Sequence, residues 1–313
     1  MSRPDVSVVV ATQDRPGMLQ ALVDSLGEQT LDRERFEVVI VDDASREPAA
    51  PQAPAGLDVR VVRHDQARGP AAARNTGWHA ARGRLIAFTD DDCAAAPNWL
   101  EALLEANGGD EHVIVQGATE PADGSHVGPL TRTMHVTTLD GMYETCNVAY
   151  PRDLLATVGG FDERLRRPSG EDVELAWRAL AAGGRGVFAP EALVLHAVHE
   201  ADLWSVLRAT MIWTDSVAVL KRHPQLRSMA VARVFWKPSH PLLLVALAGG
   251  WLGARRRSPA LAAAAATPWT MHHARRLGGP VRGLRWLPAQ LAIDLTELGT
   301  AVAGSIRHRT LIL

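Results

Sequence analysis

Cysteine is scarce: the chain of 313 residues has two, Cys93 and Cys146. That excludes a disulfide framework and fits a reducing compartment. Neither cysteine has zinc-type spacing to a histidine, which argues against a zinc site. Lysine is nearly missing, with only Lys221 and Lys237 among 33 basic residues. No run reaches about 18 uninterrupted apolar residues, so no orthodox membrane-spanning helix is expected. No basic segment followed by an apolar stretch opens the chain, so no secretion signal is read and a cytoplasmic location is expected. GxGxxG, GxxxxGK[ST] and GxSxG are absent, against dinucleotide, P-loop and serine-hydrolase chemistry. What is present is ordinary for globular protein, 47% hydrophobic and 22% charged. The length suits one large domain or two smaller ones.

The net charge of −2 conceals a division. Residues 1–200 carry 18 Lys/Arg against 31 Asp/Glu, a balance of −13; residues 201–313 carry 15 against 4, a balance of +11. Such asymmetry predicts segments with different jobs, the basic one facing an anionic partner such as lipid or nucleic acid.

The first 90 residues alternate apolar runs with helical spacing. Val6–Ala11 is a run of the kind buried on both faces of a parallel sheet, and Val38–Val41, Val59–Val62 and Arg84–Thr89 read as further strands. Pro16–Gln29, Gly69–Arg82 and Val173–Leu180 read as helices, Ala192–His196 as a short strand, and Gly117–Pro129 as a loop. Pro97 and Pro151 stand where helices could begin. The alternation predicts an open α/β sheet with helices on both faces, whose ligands bind beyond the carboxyl ends of the strands. Three strands end there in polar residues: Thr12 to Asp14, Asp42-Asp43, and Asp90 to Asp92.

Asp90-Asp91-Asp92 is the sharpest feature. Adjacent carboxylates repel one another, and burying them is costly without a cation. A hard divalent ion, Mg2+ or Mn2+, would offset that cost and could bridge to phosphate oxygens; the alternative is a solvated acidic turn. Asp42-Asp43 could accept hydrogen bonds from a ribose or a base, or simply initiate a turn. Arg68 and Arg74 flank the Ala-rich helix, and arginine suits phosphate; Arg74 lies one strand before the acidic run. Glu171-Asp172 precede a helix, where a carboxylate is either a cap or a general base for an attacking hydroxyl. His196 would be a good ligand at an acidic metal site.

In order, VSVVVATQDRP, EVVIVDDAS, ARNTGWHAARGRLIAFTDDDC, NVAYPRDLLATVGGFDE and GEDVELAWRALAAG resemble family 2 glycosyltransferases with the GT-A fold, over about residues 5–197. The resemblance implies a Rossmann-like nucleotide-diphospho-sugar transferase sheet over 1–200, with a donor half about 1–95 and an acceptor half about 96–200. It implies transfer of a sugar from a UDP-, GDP- or dTDP-sugar to an acceptor hydroxyl, with inversion and a divalent cation. Carried over by motif, Thr12, Asp14, Asp42, Asp43, Arg74, Asp90 and Asp91 would face the donor. Asp92, with Asp90 and His196, would hold metal; Asp172 would be the base, with Glu171 beside it. Arg164, Arg166 and Arg167 would meet donor phosphate or an anionic acceptor, unless they form a mobile basic loop. A sugar nucleotidyltransferase is the rival enzyme class, but VVVATQDRPG lacks its Gly-rich basic loop. A non-catalytic sugar-nucleotide or membrane-surface binding module is the rival from outside enzymology.

Residues 201–313 read as a helical, basic C-terminal region. Pro241–Gly253 and Pro259–Met271 are each too short to span about 30 Å of hydrocarbon, and Arg255-Arg256-Arg257 sits between them. Six of nine tryptophans lie between Trp204 and Trp286, and such rings favour the membrane interface. Peripheral contact with the inner face of the cell membrane is expected, with a helical subdomain or a homodimer interface as the alternatives. Gln290, Asp294 and Glu297 argue against insertion of Leu287–Ile306. No nucleic-acid partner is implied. Cell-envelope polysaccharide or glycolipid assembly is the expected setting, with glycosylation of a secondary metabolite as the alternative.

Overall fold

The computed structural model describes residues 3–122, 128–165, 167, 170–277, 279 and 283–313. They form two compact units, one of residues 1–127 with 132–199 and the other of 128–131 with 200–313.

In the first unit β1 (Val6–Thr12), β2 (Phe36–Asp42), β3 (Val59–Arg63) and β4 (Leu85–Asp90) pair in parallel in the order β3-β2-β1-β4. Valine and isoleucine dominate β1 and β2, and nearly every side chain on both faces is buried, as befits central parallel strands. The alternation sorts them. Val8, Val10, Val38 and Ile40 pack against Leu19, Leu22 and Leu26 of α1 (Pro16–Gly27) and against Trp99, Leu100 and Leu103 of α3 (Trp99–Asn107). On the opposite face Val9 and Val39 join Ala71 and Trp78 of α2 (Pro70–Ala80), Leu154 and Leu155 of α4 (Arg152–Val158), and Leu175 and Ala176 of α5 (Glu171–Ala181).

Beyond β4 the sheet is mixed rather than parallel. β7 (Asn147–Pro151) runs antiparallel to β4 and to β6 (Val113–Pro121), β6 lies parallel to β8 (Arg185–His196), and β8 carries β5 (Cys93–Ala95) antiparallel at the edge. Two expectations are corrected here. Residues 117–121 belong to β6, not to a loop; residues 123–127 of that stretch lie outside the described residues. The strand ending at His196 begins at Arg185 rather than Ala192. One irregularity hides both. Gly117 pairs with Ala189 but Ala118 with Leu193, so Pro190 to Ala192 bulge out where the glycine and proline look like a break.

α2 needs glycine where it crosses the sheet. A Cβ on Gly77 would strike the side chain of Val9 and come within 3.3 Å of Val41 Cγ2. Gly77→Ala is therefore expected to cost about 1–3 kcal/mol by overpacking. It should appear as a lower denaturant midpoint at unchanged slope, and an unchanged midpoint would contradict this packing.

The second unit is helical: α6 (Leu203–Thr210), α7 (Ser216–Arg222), α8 (Ser239–Arg255), α9 (Pro259–Arg276) and α10 (Leu287–His308). Gly249 and Gly253 let α8 lie against Ala265 and Ala262 of α9. Among the described residues no helix is long and apolar enough to cross a membrane.

Candidate active site

Register brings the polar strand ends to one row. Thr12 pairs with Asp42, and Ala11 with Asp90. Antiparallel pairing of Cys93 with His196 adds the histidine beside the acidic run.

The first two strand-end loops are laced together. Asp14 takes a left-handed backbone at φ 57°, with its N–H donating to Ser45 Oγ (2.9 Å) and its Oδ1 accepting from the Arg46 N–H (2.8 Å). Asp42 is fully buried and accepts from the N–H groups of Ser45 (2.8 Å) and Ala49 (3.0 Å) and from Arg63. Burial alone would raise its pKa, but these donors hold it below the usual carboxylate range. The expectation of Asp42 as a donor contact is therefore corrected: it braces the loop and presents no surface to a ligand. Asp43 accepts from the N–H groups of Arg68 (2.9 Å) and Gly69 (2.8 Å) and pairs with His64 Nδ1 (2.7 Å), so it orders the approach to α2. Arg68 itself is exposed and pairs with Glu163.

Arg74 sits between two of the expected site carboxylates. Its buried guanidinium donates to Asp90 Oδ1 (2.9 Å) and Glu171 Oε1 (3.0 Å). Burial would lower its pKa, but the two carboxylates outweigh that and raise it. It ties the acidic strand end to the start of α5 and holds the Glu171 carboxylate in place. Arg164 pairs with Asp162, Arg167 is exposed, and Arg166 lies outside the described residues.

The three adjacent aspartates have three different surroundings. Asp90 is about one-third exposed. Asp91 is buried, accepting from Thr12 Oγ1 (2.7 Å) and Arg15 Nη1 (3.0 Å), and burial pushes its pKa up. Asp92 Oδ2 faces Arg15 (2.9 Å) and His199 Nε2 (2.8 Å), while its Oδ1 is buried with no hydrogen-bond partner among the described residues. Burial would raise the Asp92 pKa; His196, His199 and Arg15 bring it down. His196 Nδ1 lies 2.8 Å from the Ala197 carbonyl, which can only accept, so Nδ1 carries the proton. His196 Nε2 lies 3.5 Å from Asp92 Oδ1, and with the proton on Nδ1 alone it would present a lone pair there. Two lone-pair atoms facing each other in a buried place fit a cation between them. Cys93 Sγ lies in the same cluster, where burial pushes its thiol well up in the absence of a metal.

Across the sheet edge, Gly170 at φ 91° turns the chain into α5 and sets Asp172 in its first turn. Burial and the Glu171 charge push Asp172 up to about 7, against the pull of Arg74. The charge of Glu144 also acts on Asp172, and burial, with Asp140, pushes Glu144 itself up to about 7. Glu144 Oε2 is buried with no hydrogen-bond partner among the described residues. Arg15, His199 and Glu144 are the residues that sequence reasoning missed. The H-x-x-H spacing of His196 and His199 is a signal that could have found one of them.

Residues 7–160 match the family described as Glycosyl transferase family 2. The chain is 33% identical over 245 residues to the pre-mycofactocin glycosyltransferase of Mycobacterium tuberculosis, covering 71% of this chain but 49% of that protein. It thus spans about half the length of that relative. It is 28% identical over 306 residues to the succinoglycan biosynthesis protein ExoO of Rhizobium meliloti, covering 86% of this chain and 84% of the other. The fold resembles a mannosyltransferase from Pyrobaculum calidifontis solved with GDP-Man and Mn2+. The TM-score is 0.58 and the identity 19%, over 98% of this chain and 88% of that one.

Proposed function

Because the chain belongs to glycosyl transferase family 2, we propose that it moves a sugar from a nucleotide-diphosphate sugar to an acceptor hydroxyl, inverting the anomeric carbon. The observation that carries this reading is the row of strand ends. It sets a cation-fitting pair, Asp92 and His196, on the acidic edge that Arg74 links to the first turn of the helix bearing Asp172.

Asp92 Oδ1 and His196 Nε2 would hold a divalent ion, Mn2+ or Mg2+, with Asp90 alongside. Such an ion supplies charge to offset that developing on a departing diphosphate. Thr12 and Arg15 keep Asp91 in place; Asp14 and Asp43 shape the loops that would meet the base and ribose. Asp172, ionised, takes the acceptor's proton as its oxygen attacks the anomeric carbon from the face opposite the leaving group. One displacement means inversion.

The identities of the relatives favour two settings, polysaccharide assembly and glycosylation of a small metabolite. We favour an acceptor in the first class, lipid-linked at the membrane face. The second unit exposes Trp251, Val245 and Leu247 on α8, and Arg255 lies over the Trp251 ring at 4.7 Å. Once a donor that binds has been found, the reaction is read by the anomeric proton of the product, including sugar released slowly to water. Inversion is expected; retention would overturn the single-displacement reading.

The pH dependence follows from the same groups. A base must be ionised, so kcat/KM should fall as pH drops through about 7, where Asp172 protonates. Glu144→Gln removes a like charge that raises Asp172, so the fall should move to lower pH. An unchanged profile would separate Glu144 from the base.

A further inference from the structure

The helical unit buries a polar cluster that plays no part in the sugar-transfer reading. His240 opens α8, Trp269 and His273 lie one turn apart on α9, and Asp294 and Glu297 lie three residues apart on α10. Same-face spacing on α9 and α10 aims these groups at one point. His240, His273, Asp294 and Glu297 are each at least 95% buried. Ligand atoms of His240, Asp294 and Glu297 all lie within 4.8 Å of one another.

The hydrogen bonds gather the outer donors on one oxygen of each carboxylate and set Glu297 Oε2 against His240 Nε2. Asp294 takes both its donors, Trp269 Nε1 (2.8 Å) and His273 Nε2 (2.9 Å), on Oδ2. Glu297 takes Lys237 Nζ on Oε1 (2.5 Å) and turns Oε2 to His240 Nε2 (3.1 Å). His240 Nδ1 is buried with no hydrogen-bond partner among the described residues. Outer donors that fix one oxygen of each carboxylate are what metal-ligating carboxylates carry. Charge points the same way: two buried carboxylates face one ammonium, and burying a net negative charge is costly. Another positive charge is needed, from a metal ion or from a proton on a histidine.

We propose that His240, Asp294 and Glu297 form a second metal site, structural in role, that binds a first-row divalent ion of the Zn2+ type and pins α8 and α10 together, with α9 holding Asp294 from outside. One imidazole and two carboxylates suit such an ion, with water completing a four-coordinate shell.

The test uses the full chain carrying Asp92→Ala, so that the strand-end site does not contribute. Co2+ titration, followed by visible absorption, is expected to saturate at one equivalent, with the bands lost on adding one equivalent of Zn2+. Zn2+ should also raise the thermal midpoint. Glu297→Gln and Asp294→Asn should each weaken Co2+ binding at least about 10-fold. Should either variant misfold, the titration of the Asp92→Ala chain still decides. No Co2+ uptake, or uptake indifferent to both carboxylate variants, would overturn the proposal and assign the missing charge to a protonated histidine.

Discussion

Asp172→Asn is expected to lower sugar transfer by about 10²- to 10⁴-fold, the usual contribution of a positioned general base. The amide keeps the size of the side chain and an oxygen to accept the Val173 N–H, as Asp172 Oδ1 does at 3.1 Å. It cannot take a proton. Donor binding should be little changed, because in the proposed reaction Asp172 meets the acceptor, and the ion pairs of Arg74 run to Asp90 and Glu171 instead. Steady-state rates on the variant, with calorimetry of the donor alongside, separate the two effects. Normal transfer by Asp172→Asn would remove it as the base.

Asp92→Ala should abolish the cation-dependent part of donor binding. The substitution deletes the orphaned Oδ1 that faces His196, and it frees Arg15 and His199 from Oδ2. With one of the two facing lone-pair atoms gone, added Mn2+ should no longer tighten the donor, whereas it should do so at least 10-fold, or about 1.4 kcal/mol, in the unaltered chain. His196→Ala should weaken the response in the same direction, since the carboxylate remains. Donor affinity that still responds fully to Mn2+ in Asp92→Ala would place the cation elsewhere.

Much of the fold is legible in the sequence because β1, β2 and β4 are mostly apolar and stop at polar residues. Parallel pairing then carries those stops to one edge. β6 is not legible past Gly117, because its glycine, proline and acidic residues look like a loop until pairing with β8 bulges around them. Within the site, residue type alone finds the acidic strand ends but not their division of labour. Asp42 and Asp43 are neighbours, yet Asp42 is fully buried under two backbone N–H groups. Arg74 joins carboxylates 16 and 97 positions away, a distance no local pattern encodes. Glu144 stands in no motif; only tertiary packing sets it near Asp172.

The most direct test is calorimetric titration of the purified chain with UDP-, GDP- and dTDP-sugars, with Mn2+ and then with a chelator. One nucleotide class should bind, and the chelator should abolish or sharply weaken its binding. Binding to none of them with Mn2+ present, or binding indifferent to the chelator, would contradict a cation-dependent sugar-nucleotide transferase.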